Sequence, residues 1–208
     1  MSLNLALIDR WLTGRSLARG LSLPLRHAGG LCVEVGDATE LRRHIFLNAG
    51  AALQACAAQT HVPLVLLKAA VSPEQMRAAL PGHWNIDNGA FLMYGPESVT
   101  AKLALPPDYR ISLDAEYGGY IARVIHVSEG LAASGRIALH GRCAVFDQVV
   151  TEQTHRRLGL GRAVMLTLEA IAEKAGVTER LLVATQAGRP LYEHLGWRVL
   201  APWSTAML

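Results

Sequence analysis

The chain has 208 residues, 51% hydrophobic and 18% charged, with 20 Lys plus Arg against 17 Asp plus Glu. At about 150 residues per domain this is one large domain or two small ones, long enough to bury a core unaided. The composition excludes a disordered chain, and a net charge of +3 excludes a strongly basic nucleic-acid arm or an acidic tail while leaving room for one local anion site.

In chain order, Leu3, Leu7, Ile8 and Trp11 predict a short amphipathic helix, followed by an irregular stretch, RSLARGLSLPLRHAGG, punctuated by Gly and Pro. Asp9 and Arg10 interrupt the N-terminus before any long apolar run develops, and no secretory signal is expected. LCVEV at 31–35 reads as a strand. Asp37 or Thr39 is placed to cap a helix over 39–57 with Leu41, Ile45, Leu53 and Cys56 in its stripe. VPLVLLKAAV at 62–71 is a buried strand, and Ser72-Pro73-Glu74 starts a helix ending near Pro81. HWNIDNG at 83–89 is turn-like, AFLMY at 90–94 is a strand, and 95–107 is a linker. YRISLD, YIARVIHV, GRIALHG and CAVFDQVVT then predict an antiparallel meander. A helix over 159–175, the strand RLLVAT, a helix from about 188 and a last strand, WRVLAPW, complete the pattern. There is no internal repeat at a fixed period, and no apolar run reaches the ~18 residues of a membrane span.

Cys32, Cys56 and Cys143 are few, odd in number and far apart, which supports neither a disulfide framework nor a zinc site and fits a reducing cytoplasm. Cys143 reads as a small buried hydrophobe, the histidines as unconnected, and His155 as an exposed loop residue.

Chemistry concentrates in Thr154-His-Arg-Arg-Leu-Gly-Leu-Gly-Arg-Ala163, between a strand and a helix. Free amides at a helix N-terminus and the helix dipole attract anions. Gly159 and Gly161 remove the Cβ atoms that would hold phosphate oxygens away, and Arg156, Arg157 and Arg162 add charge, so the segment suits a diphosphate. It is not a P-loop, since no Gly-Lys-Ser or Gly-Lys-Thr follows, and GLGRAV lacks the third glycine of a dinucleotide fingerprint.

Arg156-x-x-Gly159-x-Gly161 resembles the Arg/Gln-x-x-Gly-x-Gly/Ala acyl-CoA loop of the GNAT superfamily of N-acyltransferases, and LYEHLGW at 191–197 resembles that family's LYEKLGF pattern. The resemblance covers about 107–208. It implies an α/β (α+β) fold, a mixed, mostly antiparallel central sheet flanked by helices, which splays between 143–151 and 180–185. It implies acetyl-CoA (coenzyme A) as cofactor, with the pyrophosphate on Arg156, Arg157, Leu158, Gly159, Leu160, Gly161, Arg162 and Ala163 and the pantetheine alongside Val149, Val150 and Thr151. By the same resemblance Tyr192 is the proton donor to the leaving thiolate, the alternative being a core tyrosine; Asp147 and Glu152 are the two candidates for the base. Strand alternation puts Asp147, Val149 and Thr151 on one face and Glu152 on the other. Many members carry an Asn near the position of Ala187; here there is none, and Gln186 or Thr185 is the replacement.

The expected activity is acetyl transfer to a small-molecule amine by direct attack. The alternatives are a catalytically weak CoA-binding or regulatory module and a protein or peptide N-acetyltransferase. No nucleic-acid or membrane partner is expected, and a homodimer is allowed. Residues 1–106 form an enlarged α/β N-terminal half without a second Arg-x-x-Gly-x-Gly loop. They are expected to pack on the same core and contribute to the acceptor site, beside the acetyl-CoA-binding half, 107–208.

Overall fold

Asn4 accepts the Leu7 amide at 2.9 Å and so caps helix α1 (Leu5–Arg19), which ends at Gly20 in the left-handed region at φ 66°. The computed structural model, which describes residues 2–99 and 101–208, makes this helix longer than the pattern predicted. Arg15–Arg19, predicted as irregular, are its last turn, and Gly14 is the contact point between α1 and the sheet: a Cβ there would collide with Val145. Close approach rather than a turn requires the glycine. Leu7, Ile8, Trp11 and Leu12 are buried, and Trp11 meets Trp203 edge-on at 4.9 Å.

Strands β1 (Leu25–His27), β2 (Gly30–Glu34) and β3 (Arg42–Phe46) follow, then α2 (Ala51–Gln59). The predicted helix over 39–57 is therefore corrected to a strand and a short helix. Asp37 does behave as a cap, its Oδ1 accepting the Thr39 and Glu40 amides, each at 2.7 Å. Such a side-chain turn satisfies those amides without nucleating a helix. The following Arg42–Phe46 has a partner on either side, β2 antiparallel and the next strand parallel, and these two ladders outweigh its helical spacing. That next strand is β4 (Val65–Ala69); α3 (Pro73–Ala79) has a full capping box from Ser72 and Gln75. The turn-like HWNIDNG contains a two-residue strand, β5 (Asn85–Ile86), and β6 (Ala90–Tyr94) comes next.

The meander forms as β7 (Tyr109–Glu116), β8 (Gly119–His126), β9 (Gly130–His140) and β10 (Cys143–Thr151). Helix α4 (Leu160–Lys174), β11 (Glu179–Thr185), α5 (Arg189–His194) and β12 (Arg198–Met207) complete the chain. The strands make one sheet in the order β1-β2-β3-β4-β12-β6-β11-β10-β9-β8-β7, with β5 beside β12. Among the described residues only β3–β4 and β10–β11 pair in parallel, joined by α2 and α4 respectively. Outward from the central β6–β12 pair, both sides therefore run alike: a parallel β-α-β pair, then antiparallel neighbours. Each half of the chain lends a strand to the other, β12 to β4 and β6 to β11. α1 covers one face of the sheet with Leu31, Ile45, Val145, Leu181 and Trp203, and α4 covers the opposite face of the meander with Ala122, Val124 and Ala133.

Glu169 of α4 and Arg180 of β11 form an ion pair at 2.8 Å, both side chains almost fully buried. Arg180→Met leaves the Glu169 carboxylate buried without its counter-charge, and unfolding in urea should register a loss of about 3–5 kcal/mol.

Candidate active site

β10 leaves its partner halfway along. Cys143, Ala144 and Val145 pair with Glu179, Arg180 and Leu181, and beyond them no strand pairs with that edge of β10 among the described residues. Its other edge stays paired with β9 as far as Thr151. The result is a wedge between β10 and β11 whose wall carries unpaired backbone groups, a template for an extended ligand. On the other side of the sheet, β3 and β4 stay paired over their whole length, from Arg42 with Val65 to Phe46 with Ala69. The wedge opens in one half only.

A β-bulge marks the divergence. The β9 register shifts between Asp147 and Val150, and Gln148 takes φ 51°. The extra residue breaks the predicted alternation: Asp147 faces α1, whereas Val149 turns toward α4, beside Val164 and Leu168. Asp147 is bound by Arg19, with a second contact to that guanidinium at 3.2 Å, and Arg15 lies 3.6 Å away. Glu152 is exposed beyond the strand end, where its amide donates to the Ala132 carbonyl at 2.9 Å.

The glycine-rich segment closes the mouth of the wedge. A 3₁₀ turn, Gln153–His155, leads into Arg157 and Gly159, both left-handed at φ 66° and 78°, and then into α4. No side chain caps α4; the Ala163 amide donates to the Gly159 carbonyl at 3.0 Å, and is therefore not available to a ligand as expected, while the Leu160, Gly161 and Arg162 amides have no acceptor among the described residues. Space beside Gly159 is open, while Gly161 fits between Thr151 at the end of β10 and Leu191 of α5. Arg156, Arg157 and Arg162 are exposed and form no ion pair among the described residues; Arg156 donates only to the Thr151 carbonyl, at 3.3 Å. Unpaired amides, a helix N-terminus and three guanidiniums without an ion pair among the described residues make a cradle that fits a diphosphate. His155 is not the exposed loop residue predicted. It is buried, with Nδ1 2.9 Å from the Tyr109 hydroxyl and Nε2 3.3 Å from Glu129, and it anchors the turn to the meander.

Tyr192 comes from α5. Its ring is buried 6.1 Å from that of Trp197, while its hydroxyl makes no hydrogen bond among the described residues. Burial, reinforced by the negative charge of Asp147, pushes the phenol up to about 12. Near the place where family members carry Asn, Thr185 accepts the Gly188 amide at 3.1 Å and Gln186 donates to the Asn88 carbonyl at 3.4 Å. Both groups are occupied locally. Cys143 is buried and its thiol is driven up to about 12, in keeping with a packing role.

A sequence model of the acetyltransferase (GNAT) family matches residues 82–197. The chain belongs to the GNAT family. Its match spans the wedge, the loop and Tyr192, so this GNAT protein carries the family's acyltransferase framework, with β6–β11 of the mixed, mostly antiparallel, helix-flanked sheet inside the match. Among solved structures, a GCN5-related N-acetyltransferase from Kribbella flavida superposes with a TM-score of 0.64 at 14% identity, over 100% of this chain and 96% of that one. A GCN5-related N-acetyltransferase-like protein from Streptococcus suis gives 0.56 at 13%, over 86% and 83%. A tandem GNAT protein from the clavulanic acid biosynthesis pathway gives 0.50 at 14%, over 69% of this chain and 63% of that one. At these identities the likeness is one of fold. No curated protein sequence matches.

Sequence reasoning missed the charged residues that α1, the turn before β3 and β4 bring together, of which Arg15 and Arg19 hold Asp147. Arg15, Arg19, Glu40 and Lys68 lie within electrostatic reach of one another. Burial holds the Arg15 and Lys68 cations below their ordinary ranges and raises the Glu40 carboxyl. The available signal was Lys68 itself, a lysine inside the apolar run VPLVLLKAAV.

Proposed function

We propose that this GNAT protein transfers an acetyl group from acetyl-CoA to a small amine by direct attack of the amine nitrogen. The observation that carries the proposal is the conjunction of the β10–β11 wedge with a loop that offers unpaired helix N-terminal amides and three arginines without an ion pair among the described residues. Arg156, Arg157 and Arg162, with the amides from Leu158 to Arg162, would hold the pyrophosphate, and the open edge of Val149, Val150 and Thr151 would pair with the amide-bearing pantetheine. When bound, acetyl-CoA supplies a thioester carbonyl for the attack.

Two proton tasks fall to the chain's own residues. Tyr192, with its proton tightly held and its hydroxyl uncommitted, donates to the departing sulfur as the carbon–sulfur bond breaks. The acceptor arrives mostly as an ammonium and must lose a proton before its nitrogen can attack. Of the two predicted carboxylates, Asp147 is the better placed to receive it, because it is close enough to Tyr192 to influence the phenol. Glu152 lies on the far side of the strand end, in solvent.

Calorimetric titration tests the cofactor assignment. Acetyl-CoA and coenzyme A are expected to bind with micromolar dissociation constants, roughly −8 kcal/mol, and ATP at least about tenfold more weakly. A thiol-release assay over amino acids, polyamines, aminoglycosides and peptides should give turnover that depends on both acetyl-CoA and an amine. Tighter binding of ATP would overturn the assignment.

A further inference from the structure

β7 ends the sheet on the meander side, and no strand pairs with its outer edge among the described residues. The hairpin to β8 fixes which backbone groups that edge offers. Glu116 faces Gly119 across the turn, and the Val127 amide donates to the Asp108 carbonyl at 3.0 Å. The even-numbered residues of β7 are therefore the ones bonded to β8, and the N–H and C=O groups of Ile111, Leu113 and Ala115 point out of the sheet. The Tyr109 amide has the same phase and is taken by the Pro106 carbonyl at 3.1 Å. On the α1 face, Ser112 and Arg123 hold Asp114, while Arg123 and Arg136 hold Glu116. Arg110 is exposed and has no ion pair among the described residues. On the α4 face, Leu113 is 44% exposed and borders a groove with Leu103 and Tyr120, 49% and 40% exposed.

Charges on an edge strand ordinarily keep other strands away. These are arranged to admit one strand in one register. Antiparallel pairing of β7 with a second β7, about a two-fold axis through Ser112, sets Arg110 of each copy directly opposite Asp114 of the other. Both pairs fall at non-hydrogen-bonded positions, where facing side chains come closest. The same register sets Ile111 opposite Leu113, so that the outward N–H and C=O groups of the two copies bond each other and the exposed Leu113 side chains are covered. A slip of two residues in one sense brings Arg110 to Glu116, which two guanidiniums already hold. In the other sense it brings Asp114 to Asp108, a like charge. Hydrogen-bond phase, charge and apolar contact thus agree on one pairing. We infer that β7 is a dimer interface, occupied by β7 of a second copy of this chain in that register. Only a self-complementary patch makes such an isologous contact. The inference is independent of the transferase reading, because β8 and β9 separate β7 from the wedge.

The test is charge reversal read by sedimentation equilibrium. The wild-type chain should show a monomer–dimer equilibrium with a dissociation constant of about 100 μM or lower. Arg110→Asp and Asp114→Arg each put like charges opposite each other twice across the axis, and each should weaken the dimer about tenfold or more. An equimolar mixture of the two variants should form heterodimers at least as tight as the wild-type dimer, because an acidic edge then meets a basic one. Mild oxidation of Ser112→Cys should cross-link the copies through the axis, where facing Cα atoms stand about 4.5 Å apart, within disulfide range. Ala115→Cys, which faces Tyr109 and not itself, should cross-link no more than wild type. Circular dichroism reports whether the variants fold. A wild-type chain that stays monomeric up to about 0.5 mM overturns the inference. So does a dimer that survives both reversals in folded chains, a mixture that remains monomeric, or cross-linking at Ala115→Cys in preference to Ser112→Cys.

Discussion

Gly161→Val is expected to weaken coenzyme A binding 100-fold or more while lowering stability by only about 1–3 kcal/mol. Gly161 is the second residue of α4, and its φ lies outside the left-handed region, so the backbone itself accepts an L side chain. The obstacle is space. A Cβ would stand 3.1 Å from Leu191 Cδ2 and 3.3 Å from Thr151 Oγ1, and the two γ-methyls of valine must push one of those walls or project over the first amides of the helix. Either movement spoils a cradle that depends on bare amides at a helix N-terminus. Gly159→Ala provides the contrast. Nothing lies within 4 Å of its Cβ, but φ is 78°, so the cost is backbone strain of roughly 1–2 kcal/mol without a clash. Calorimetry with coenzyme A and urea unfolding separate the two effects. Binding retained within threefold in Gly161→Val means that the diphosphate lies elsewhere.

What was legible in the sequence is what neighbouring residues decide. The Ser72 capping box, the meander of alternating residues and the passage from CAVFDQVVT through HRRLGLGRAV into α4 are local patterns, and the elements appear where those patterns put them. What was not legible depends on partners far along the chain. Arg42–Phe46 is a strand because β2 and β4 flank it, although its spacing also suits a helix. Arg15–Arg19 continue α1 rather than a loop because the helix packs on the sheet, with Gly14 against Val145. The bulge at Gln148 shifts Val149 to the opposite face from Asp147, and an added residue leaves no mark in a run of alternating side chains. The like arrangement on either side of β6 and β12 follows from an exchange of strands between halves, which no repeat in the sequence announces. The same holds for the site. The loop is one continuous segment and could be read; the ion pairs of Asp147 with Arg15 and Arg19 and of Glu40 with Arg43 depend on how α1 and β3 pack on the sheet and could not.

Tyr192→Phe should lower kcat by about 10²–10³-fold, within the usual contribution of a positioned general acid. Phenylalanine keeps the ring that packs against Trp197, so stability near neutral pH should change by less than about 1 kcal/mol, and coenzyme A affinity should hold within about twofold. A large fall in kcat with unchanged cofactor affinity is the signature of a group that acts in the transition state. The pH profile adds a second criterion. With the phenol pushed up to about 12, the donor remains protonated well above neutrality, so wild-type kcat should show no descending limb below about pH 10 from Tyr192. Stability carries the matching signature. Because the folded phenol holds its proton above the ordinary tyrosine value of about 10, the folded state binds more protons than the unfolded state between about pH 10 and 12. Stability therefore falls across that window in wild type, and Tyr192→Phe should lose less of it there. Turnover within threefold of wild type in the phenylalanine variant, with an accepted amine at saturation, would remove Tyr192 as the donor and leave a water molecule or the acceptor itself to protonate the thiolate.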